Sequence, residues 1–240
     1  MIILSTIIPI YNKEKALRKT LESIVDNHEI NDDEYECILV DDESTDNSTN
    51  ICKEFCKKYS YFKYIRIFND GYPCPSDARN CGLKYCEGKY IHFLDADDEL
   101  CKTFYKDAIK ILDTTDFNVF SRGNYSREEN EKILHTWIPA KFTKYKWFGM
   151  PLWSNIFRNY IKEIKFENVF NEDIVYTWLA MWNKTYYDDT KNFNSIIYNL
   201  EYCEVSKHTN GLAWRINVAN TLSKYPQYPY KVQNNIIVEK

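Results

Sequence analysis

The 240-residue chain encodes an α/β fold built around a mostly parallel central sheet. Strand-like and helix-like stretches alternate about every 12–25 residues through the first hundred positions, the rhythm of βαβ units. The strand-like stretches are continuous apolar runs such as Cys37-Ile38-Leu39-Val40, the pattern of strands covered on both faces. Two of these runs end in acidic clusters, Asp41-Asp42 and Asp95–Asp98. Ligands of open parallel sheets bind at strand carboxyl ends, so the clusters are expected to converge on one edge of the sheet.

Residues 2–10 form the first strand, with Ile2, Ile3, Leu4, Ile7 and Ile8, bounded by Pro9 and Asn12. The same stretch is a poor leader peptide, because no basic region precedes it and no small-residue cleavage site follows. A helix runs from Lys15 to about Asn27, with Ala16, Leu17, Leu21, Ile24 and Val25 on one face. After the strand at 37–40, Ser44, Thr45 and Asp46 offer caps for a helix through Lys58. Tyr64–Phe68 is the third strand; Ser76–Glu87 is a helix closed by Gly88 at its C-cap. Tyr90–Leu94 is the fourth strand, followed by a helix to about Leu112 and a strand at Phe117–Ser121. Residues 122–150 are polar, basic and aromatic, with weak periodicity. Helices are expected at Ser154–Ile161 and Glu172–Trp182, short strands within 183–211, and a Pro/Tyr-rich tail from Leu212. The length fits one compact domain with a smaller C-terminal extension.

Composition removes several classes. With 44% apolar, 28% charged and 16% aromatic residues, the chain is neither disordered nor a linker, and six Gly with seven Pro exclude collagen-like repeats. No apolar run approaches the ~20 residues of a membrane span. Glycine stands only at 71, 82, 88, 123, 149 and 211, so neither G-x-G-x-x-G nor a P-loop can be written. The eight cysteines form no C-x-x-C pair or zinc spacing and are expected as reduced, packed thiols of a cytoplasmic protein. Residues 1–99 carry 12 Lys+Arg against 20 Asp+Glu, whereas 100–240 carry 19 against 15. An acidic half that holds an anionic ligand calls for a metal; a solvated acidic face accounts for the same charge.

Asp95-Ala96-Asp97-Asp98 is the sharpest local signal. Hard divalent cations take oxygen ligands, and Mg²⁺ typically uses one or two carboxylates plus substrate phosphates. A solvent-facing acidic turn has the same sequence, so the motif alone leaves both readings open. The wider chain resembles family 2 glycosyltransferases of the GT-A fold, which are Rossmann-like. The matching stretches are Ser5–Asn12, Leu39–Asp46, Ser76-Asp77-Ala78-Arg79-Asn80, Gly88–Asp98, Pro151–Arg158 and Glu172-Asp173, in order across residues 4–182.

That resemblance implies roles. Pro9, Tyr11 and Asn12 would line the nucleotide base and ribose, Asp42 would contact the base, and Arg79 would hold the nucleotide end of the donor. Asp95, with Ala96 beside it, would contact the ribose or metal, and Asp97 would ligate Mn²⁺ or Mg²⁺. Asp173 would be the general base that deprotonates the acceptor hydroxyl; as a carboxylate near a helix start, it equally suits N-capping. His208, in Ser206–Gly211, is either a late metal ligand or a solvated loop histidine. Residues 1–100 would form the nucleotide-sugar half, and 101–240 the acceptor and catalytic-base half of the same compact domain.

The expected reaction is inverting transfer of one sugar from a nucleotide-diphosphate donor, a UDP-sugar first. The acceptor is left open among a glycan, a protein, a small molecule and a modified nucleic-acid base. Trp147, Trp153, Phe157 and Arg158 lie in a basic aromatic stretch that suits either an acceptor platform or core packing. Two departures stand out. Glu43 replaces a customary Gly, so the loop is expected to avoid positive φ there. No Q-x-x-R-W follows Asp173, which speaks against processive synthesis. A sugar nucleotidyltransferase and a non-catalytic nucleotide-sugar binding module remain as rivals; the Glu172-Asp173 pair disfavours the second.

Overall fold

The computed structural model describes residues 1–69, 73–122, 124–129, 132–137, 152, 155–166, 176, 185–188, 196–199, 223–224, 230–233 and 236–239. Strands β1 (Leu4–Ile10), β2 (Tyr35–Asp42), β3 (Phe62–Ile67) and β4 (Tyr90–Phe93) are joined by α1 (Leu17–Asn27), α2 (Ser48–Lys58) and α3 (Pro75–Tyr85). Then come β5 (Asp98–Leu100), α4 (Phe104–Thr114), β6 (Val119–Arg122), β7 (Asn124–Glu129) and β8 (Lys132–Trp137). β9 (Asn155–Arg158) leads into a 3-10 helix (Asn159–Glu163), followed by β10 (Thr185–Asp188), β11 (Ile196–Asn199), β12 (Tyr230–Gln233) and β13 (Ile236–Glu239).

The main sheet has seven strands in the order β10-β6-β9-β4-β1-β2-β3. Its pairings are parallel except around β9, which runs antiparallel to both β4 and β6. Strand order reverses at β1: the chain winds outward through β2 and β3, then returns to place β4 on the other side. Such a switch point opens a crevice beyond the strand ends. A second sheet runs β5-β11-β7-β8, and β12 with β13 forms a hairpin.

Two hydrophobic layers cover the main sheet. Alternation along the strands sorts Leu4, Ile8, Ile10, Cys37, Leu39, Tyr90, Phe120 and Ile156 to one layer with α1, α2 and α4. Ile7, Ile38, Val40, Ile91, Phe93, Val119 and Phe157 point into the other, with α3 and the 3-10 helix. Burial on both faces is why these strands read as unbroken apolar runs. A buried polar chain crosses the first layer. Tyr35 donates to Thr6 Oγ1 at 2.9 Å, and the Tyr105 hydroxyl lies 2.8 Å from both Thr6 Oγ1 and His92 Nδ1.

Three expectations change. The segment expected as a helix over Ser154–Ile161 contains β9 and the 3-10 helix instead. Its apolar spacing at 153, 156, 157, 160 and 161 imitates a helical face. Both faces of β9 are buried, however, and Arg158 Nε donates to Phe117 O at 2.8 Å, so tertiary packing overrides the period. Gly88 does not cap α3, which ends with Cys86 in extended conformation. A Cβ at Gly88 would stand 2.5 Å from Ser5 Oγ and 2.6 Å from Ser5 N, so close strand approach requires the glycine. Glu43 adopts φ of 60° rather than avoiding the left-handed region. The turn is held by Ser44 N donating to Asp41 Oδ1 at 2.8 Å and by Asn69 N donating to Glu43 Oε2 at 3.2 Å.

Of the residues expected to cap the second helix, Asp46 Oδ1 accepts from Ser48 N, the first residue of α2, at 2.9 Å, while Ser44 and Thr45 bond to Asn12 in the loop before it. The helix expected over Glu172–Trp182 lies outside the described residues except at Tyr176, which is helical. The seven described cysteines form no disulfide; Cys37, Cys52 and Cys86 are buried, and burial pushes the Cys86 thiol up to about 11. Among the described residues no helix is long and apolar enough to cross a membrane.

Candidate functional site

A cleft of about 810 Å³ opens at the switch point between the ends of β1 and β4. Its volume lies in the range of small-molecule sites. Pro9, Tyr11, Asn12, Asp42, Arg79, Asp95, Ala96 and Asp97 all line it. Sequence positions spread over almost 90 residues therefore meet in one crevice. Asp173 and His208 lie outside the described residues, as do Trp147 and Trp153.

The first wall is the loop after β1. Asn12 takes φ of 49°, a conformation that asparagine tolerates better than most residues. Its backbone N donates to Ser44 Oγ at 3.0 Å, and its Oδ1 accepts from Thr45 N at 2.8 Å and Asp46 N at 3.3 Å. Lys13 N donates to Ser48 Oγ at 2.8 Å, and Glu14 N to Asp46 Oδ2 at 2.9 Å. These bonds zip the β1 and β2 loops together. Asn12 thus shapes the wall with its side-chain oxygen, while half-exposed Tyr11 presents its ring at the cleft.

The second wall comes from β2. Asp41 is fully buried and faces away, accepting from Ser44 N, Thr49 Oγ1, Tyr64 Oη and Arg66 Nη1 at 2.6–3.2 Å. Burial alone would raise its pKa; the hydrogen bonds outweigh that and hold it below the usual carboxylate value. Asp42 lines the cleft, accepting from Asn69 Nδ2 at 2.7 Å and from Cys74 N at 2.6 Å. Burial pushes Asp42 up despite those two bonds. The Cys74 contact ties the start of α3 to β2.

The third wall joins α3 to the loop after β4. Arg79 is only 5% exposed; its Nη2 donates to Asp95 Oδ1 at 2.9 Å and its guanidinium lies 5.4 Å from the Phe166 ring centre. Ala96 is buried, and its carbonyl accepts from Thr20 Oγ1 at 3.0 Å, which fixes the turn on α1. Asp97 Oδ2 is 2.7 Å from Lys13 Nζ. Burial and then the Asp95 charge push the Asp97 carboxyl up, with Lys13 opposing.

Asn80 binds the backbone of Phe166 in both directions, Nδ2 to its O at 2.9 Å and its N to Oδ1 at 2.8 Å. Phe166 stacks on Tyr176 at 3.7 Å, and both rings pack on Phe93 at the end of β4. Phe166 and Tyr176 are thereby anchored against the end of β4.

Asp95 and Asp97, two positions apart on the loop after β4, both open carboxylates onto the cleft. Among the described residues no three His, Cys, Asp or Glu side chains gather into a metal-enclosing cluster. Two carboxylates opening onto a cleft fit a hard ion that completes its shell with substrate phosphates rather than a closed all-protein cage. Sequence reasoning missed Lys13, Asn69 and Asn80. Lys13 directly follows the Pro9–Asn12 motif and is a cation in the acidic half, a signal that was available; the reach of Asn69 and Asn80 depends on tertiary contacts.

The chain is 43% identical over 110 residues to the minor teichoic acid biosynthesis protein GgaB of Bacillus subtilis (strain 168), covering 45% of this chain and 12% of that protein. It is 25% identical over 230 residues to the uncharacterized glycosyltransferase YibD of Escherichia coli (strain K12), covering 86% and 65%. The chain thus spans less than two thirds of the length of these relatives. Its fold matches S. aureus TarS 1-349 in complex with UDP-GlcNAc, with a TM-score of 0.74 at 22% identity, covering 93% of this chain and 66% of that one. Residues 5–179 match the sequence profile described as glycosyl transferase family 2, and the chain belongs to that family.

Proposed function

We propose that this chain is a metal-dependent glycosyltransferase that moves one sugar from a UDP-sugar to an acceptor hydroxyl with inversion. The carrying observation is the convergence of Pro9, Tyr11, Asn12, Asp42, Arg79, Asp95, Ala96 and Asp97 on one cleft at the sheet's switch point. A fold shared with a UDP-GlcNAc complex favours a uridine donor. The name of GgaB favours a surface-glycan acceptor over a protein or nucleic-acid base.

In this reading Tyr11 and Asp42 take the base, Asn12 shapes the ribose wall, and Arg79 holds Asp95 toward the ribose. Asp97 and Asp95 would hold a divalent ion, which would supply Lewis-acid stabilisation of the leaving diphosphate. A mannosyltransferase of Pyrobaculum calidifontis, solved with GDP-Man and Mn²⁺, shares the fold at a TM-score of 0.64, 14% identity and coverage of 94% and 65%. Asp173 accepts the acceptor proton as the new glycosidic bond forms and the anomeric bond to the diphosphate breaks. Residues 1–100 carry the donor and 101–240 the acceptor and the base. His208 is a candidate further ligand.

The test is a panel of nucleotide sugars with Mn²⁺ or Mg²⁺, scored for nucleoside diphosphate release and for sugar transfer. Expected is release from one UDP-sugar, lost with EDTA and with Asp97→Asn. Asp173→Asn is expected to keep UDP affinity while turnover falls by ~10²–10⁴, the usual worth of a positioned base. Pyrophosphate release, or undiminished turnover in Asp97→Asn, would overturn the assignment.

A further inference from the structure

Lys13 is in direct contact with Asp97, the residue to which the proposed function gives the metal, and the inference below rests on that reading. Its ammonium lies 2.7 Å from Asp97 Oδ2; the lysine side chain is 33% exposed and the aspartate 15%. The backbone at this position is fixed. Lys13 N donates to Ser48 Oγ, and Lys13 O accepts from Ala16 N and Leu17 N at the start of α1. The side chain beyond it is a flexible four-carbon stem with a compact charge at its tip. Arg79 is its opposite: buried, stacked on Phe166 and bonded to Asp95, it is built in place.

A Mg²⁺ ion coordinated by a carboxylate sits about 2.0–2.1 Å from its oxygen. An ammonium bonded to that same carboxylate competes for its lone pairs and repels the incoming ion at short range. The two cations are therefore alternatives at Asp97 Oδ2. When the ammonium leaves, it remains tethered at the mouth of the cleft, whose lining includes five carboxylates and three cationic side chains. The partner that restores its charge balance is the diphosphate of the incoming nucleotide.

We propose that Lys13 is a resident counter-ion of Asp97 that yields the carboxylate to the divalent ion and transfers its own contact to the donor diphosphate, so that metal and nucleotide bind synergistically through one side chain. Metal alone then binds weakly, because it must break the ion pair with no diphosphate to receive the lysine. With nucleotide present the broken pair is replaced, and by linkage each ligand raises the affinity of the other by the same factor.

The test measures Mn²⁺ affinity by electron paramagnetic resonance, with and without UDP, in the wild type, Lys13→Met, Lys13→Arg and Asp97→Asn. Thermal melts confirm that each variant is folded. Lys13→Met is expected to bind Mn²⁺ alone at least about tenfold more tightly than the wild type, equivalent to one ion-pair contact. Its gain in Mn²⁺ affinity on adding UDP is expected to shrink by a similar factor. Lys13→Arg is expected to restore the wild-type pattern. Unchanged Mn²⁺ affinity in folded Lys13→Met, with affinity lost in Asp97→Asn, would overturn the role of Lys13 and leave the metal at Asp97 standing. Unchanged affinity in Asp97→Asn would overturn both.

Discussion

Asp41 and Asp42 are adjacent and chemically identical, yet the pleat of β2 sends them to opposite environments. Asp41 is saturated by Ser44, Thr49, Tyr64 and Arg66, and its carboxyl clamps the loop that carries Glu43. Asp42 faces the cleft and holds the start of α3 through Cys74. The pair therefore separates by mutation. Asp41→Ala removes a charged acceptor from several donors and is expected to cost about 1.5–3 kcal/mol in urea unfolding. Asp42→Asn keeps an acceptor oxygen for Cys74 N and is expected to leave the unfolding midpoint nearly unchanged while UDP affinity falls in calorimetric titration. A stability loss confined to Asp42→Asn would invert this division. The sequence makes the acidic pair visible, and strand alternation implies that its members point apart. Nothing in it says how many donors surround each, because Tyr64 and Arg66 reach Asp41 across a strand pairing.

At the scale of the element, α1 ends on a histidine that couples the fold to pH. His28 is buried at the C-cap, stacked on Tyr35 at 4.7 Å, and its Nδ1 accepts from Ile30 N at 3.3 Å. Burial lowers its pKa from the ordinary 6.5, with Asp32 opposing more weakly. Below pH 6.5 the unfolded chain therefore binds a proton that the folded chain resists, and stability falls as pH falls toward the folded-state value. Above 6.5 both states are neutral and this contribution is fully present. Urea midpoints taken between pH 7 and pH 5 are expected to decline less steeply in His28→Gln than in the wild type. Equal slopes would remove His28 as a source of acid sensitivity. The elements themselves were largely legible: β1 to β4 and α1 to α3 follow from their apolar patterns with ends shifted by a few residues. β9 was not, because a four-residue strand with buried residues on both faces, bracketed in sequence by Trp153 and Tyr160, carries a spacing that a helix shares. Gly88 was misread for a related reason, since a glycine after a helix suggests a cap and the close approach of Ser5 is invisible along the chain.

For the whole molecule, the proposed donor half and the folding unit are different objects. All the cleft residues named here lie before position 100, which suggests that residues 1–100 suffice to hold a nucleotide. The sheet argues otherwise. β4 is the central strand that carries Asp95 and Asp97 on its outgoing loop, and its far edge is covered by β9, which in turn pairs with β6. Phe93 packs on Phe157, Phe166 and Tyr176, all from the later half. The buried hydroxyls and imidazole of Thr6, Tyr35 and His92 converge on Tyr105 of α4, so removing α4 strands polar groups in the apolar layer. A fragment of residues 1–100 would thus expose a hydrophobic strand edge and leave a polar chain incomplete, an invitation to edge-to-edge association. Such a fragment is expected to lack a cooperative thermal transition by near-UV circular dichroism, to elute as aggregate, and to show no UDP-dependent stabilisation, whereas the full chain melts cooperatively. A monomeric fragment with a sharp transition shifted by UDP would show that β9, β6 and α4 merely decorate an autonomous donor domain. The geometry favours the first outcome because the later half contributes to both layers of the core, and the turn that carries Asp95 and Asp97 hangs from the strand it covers.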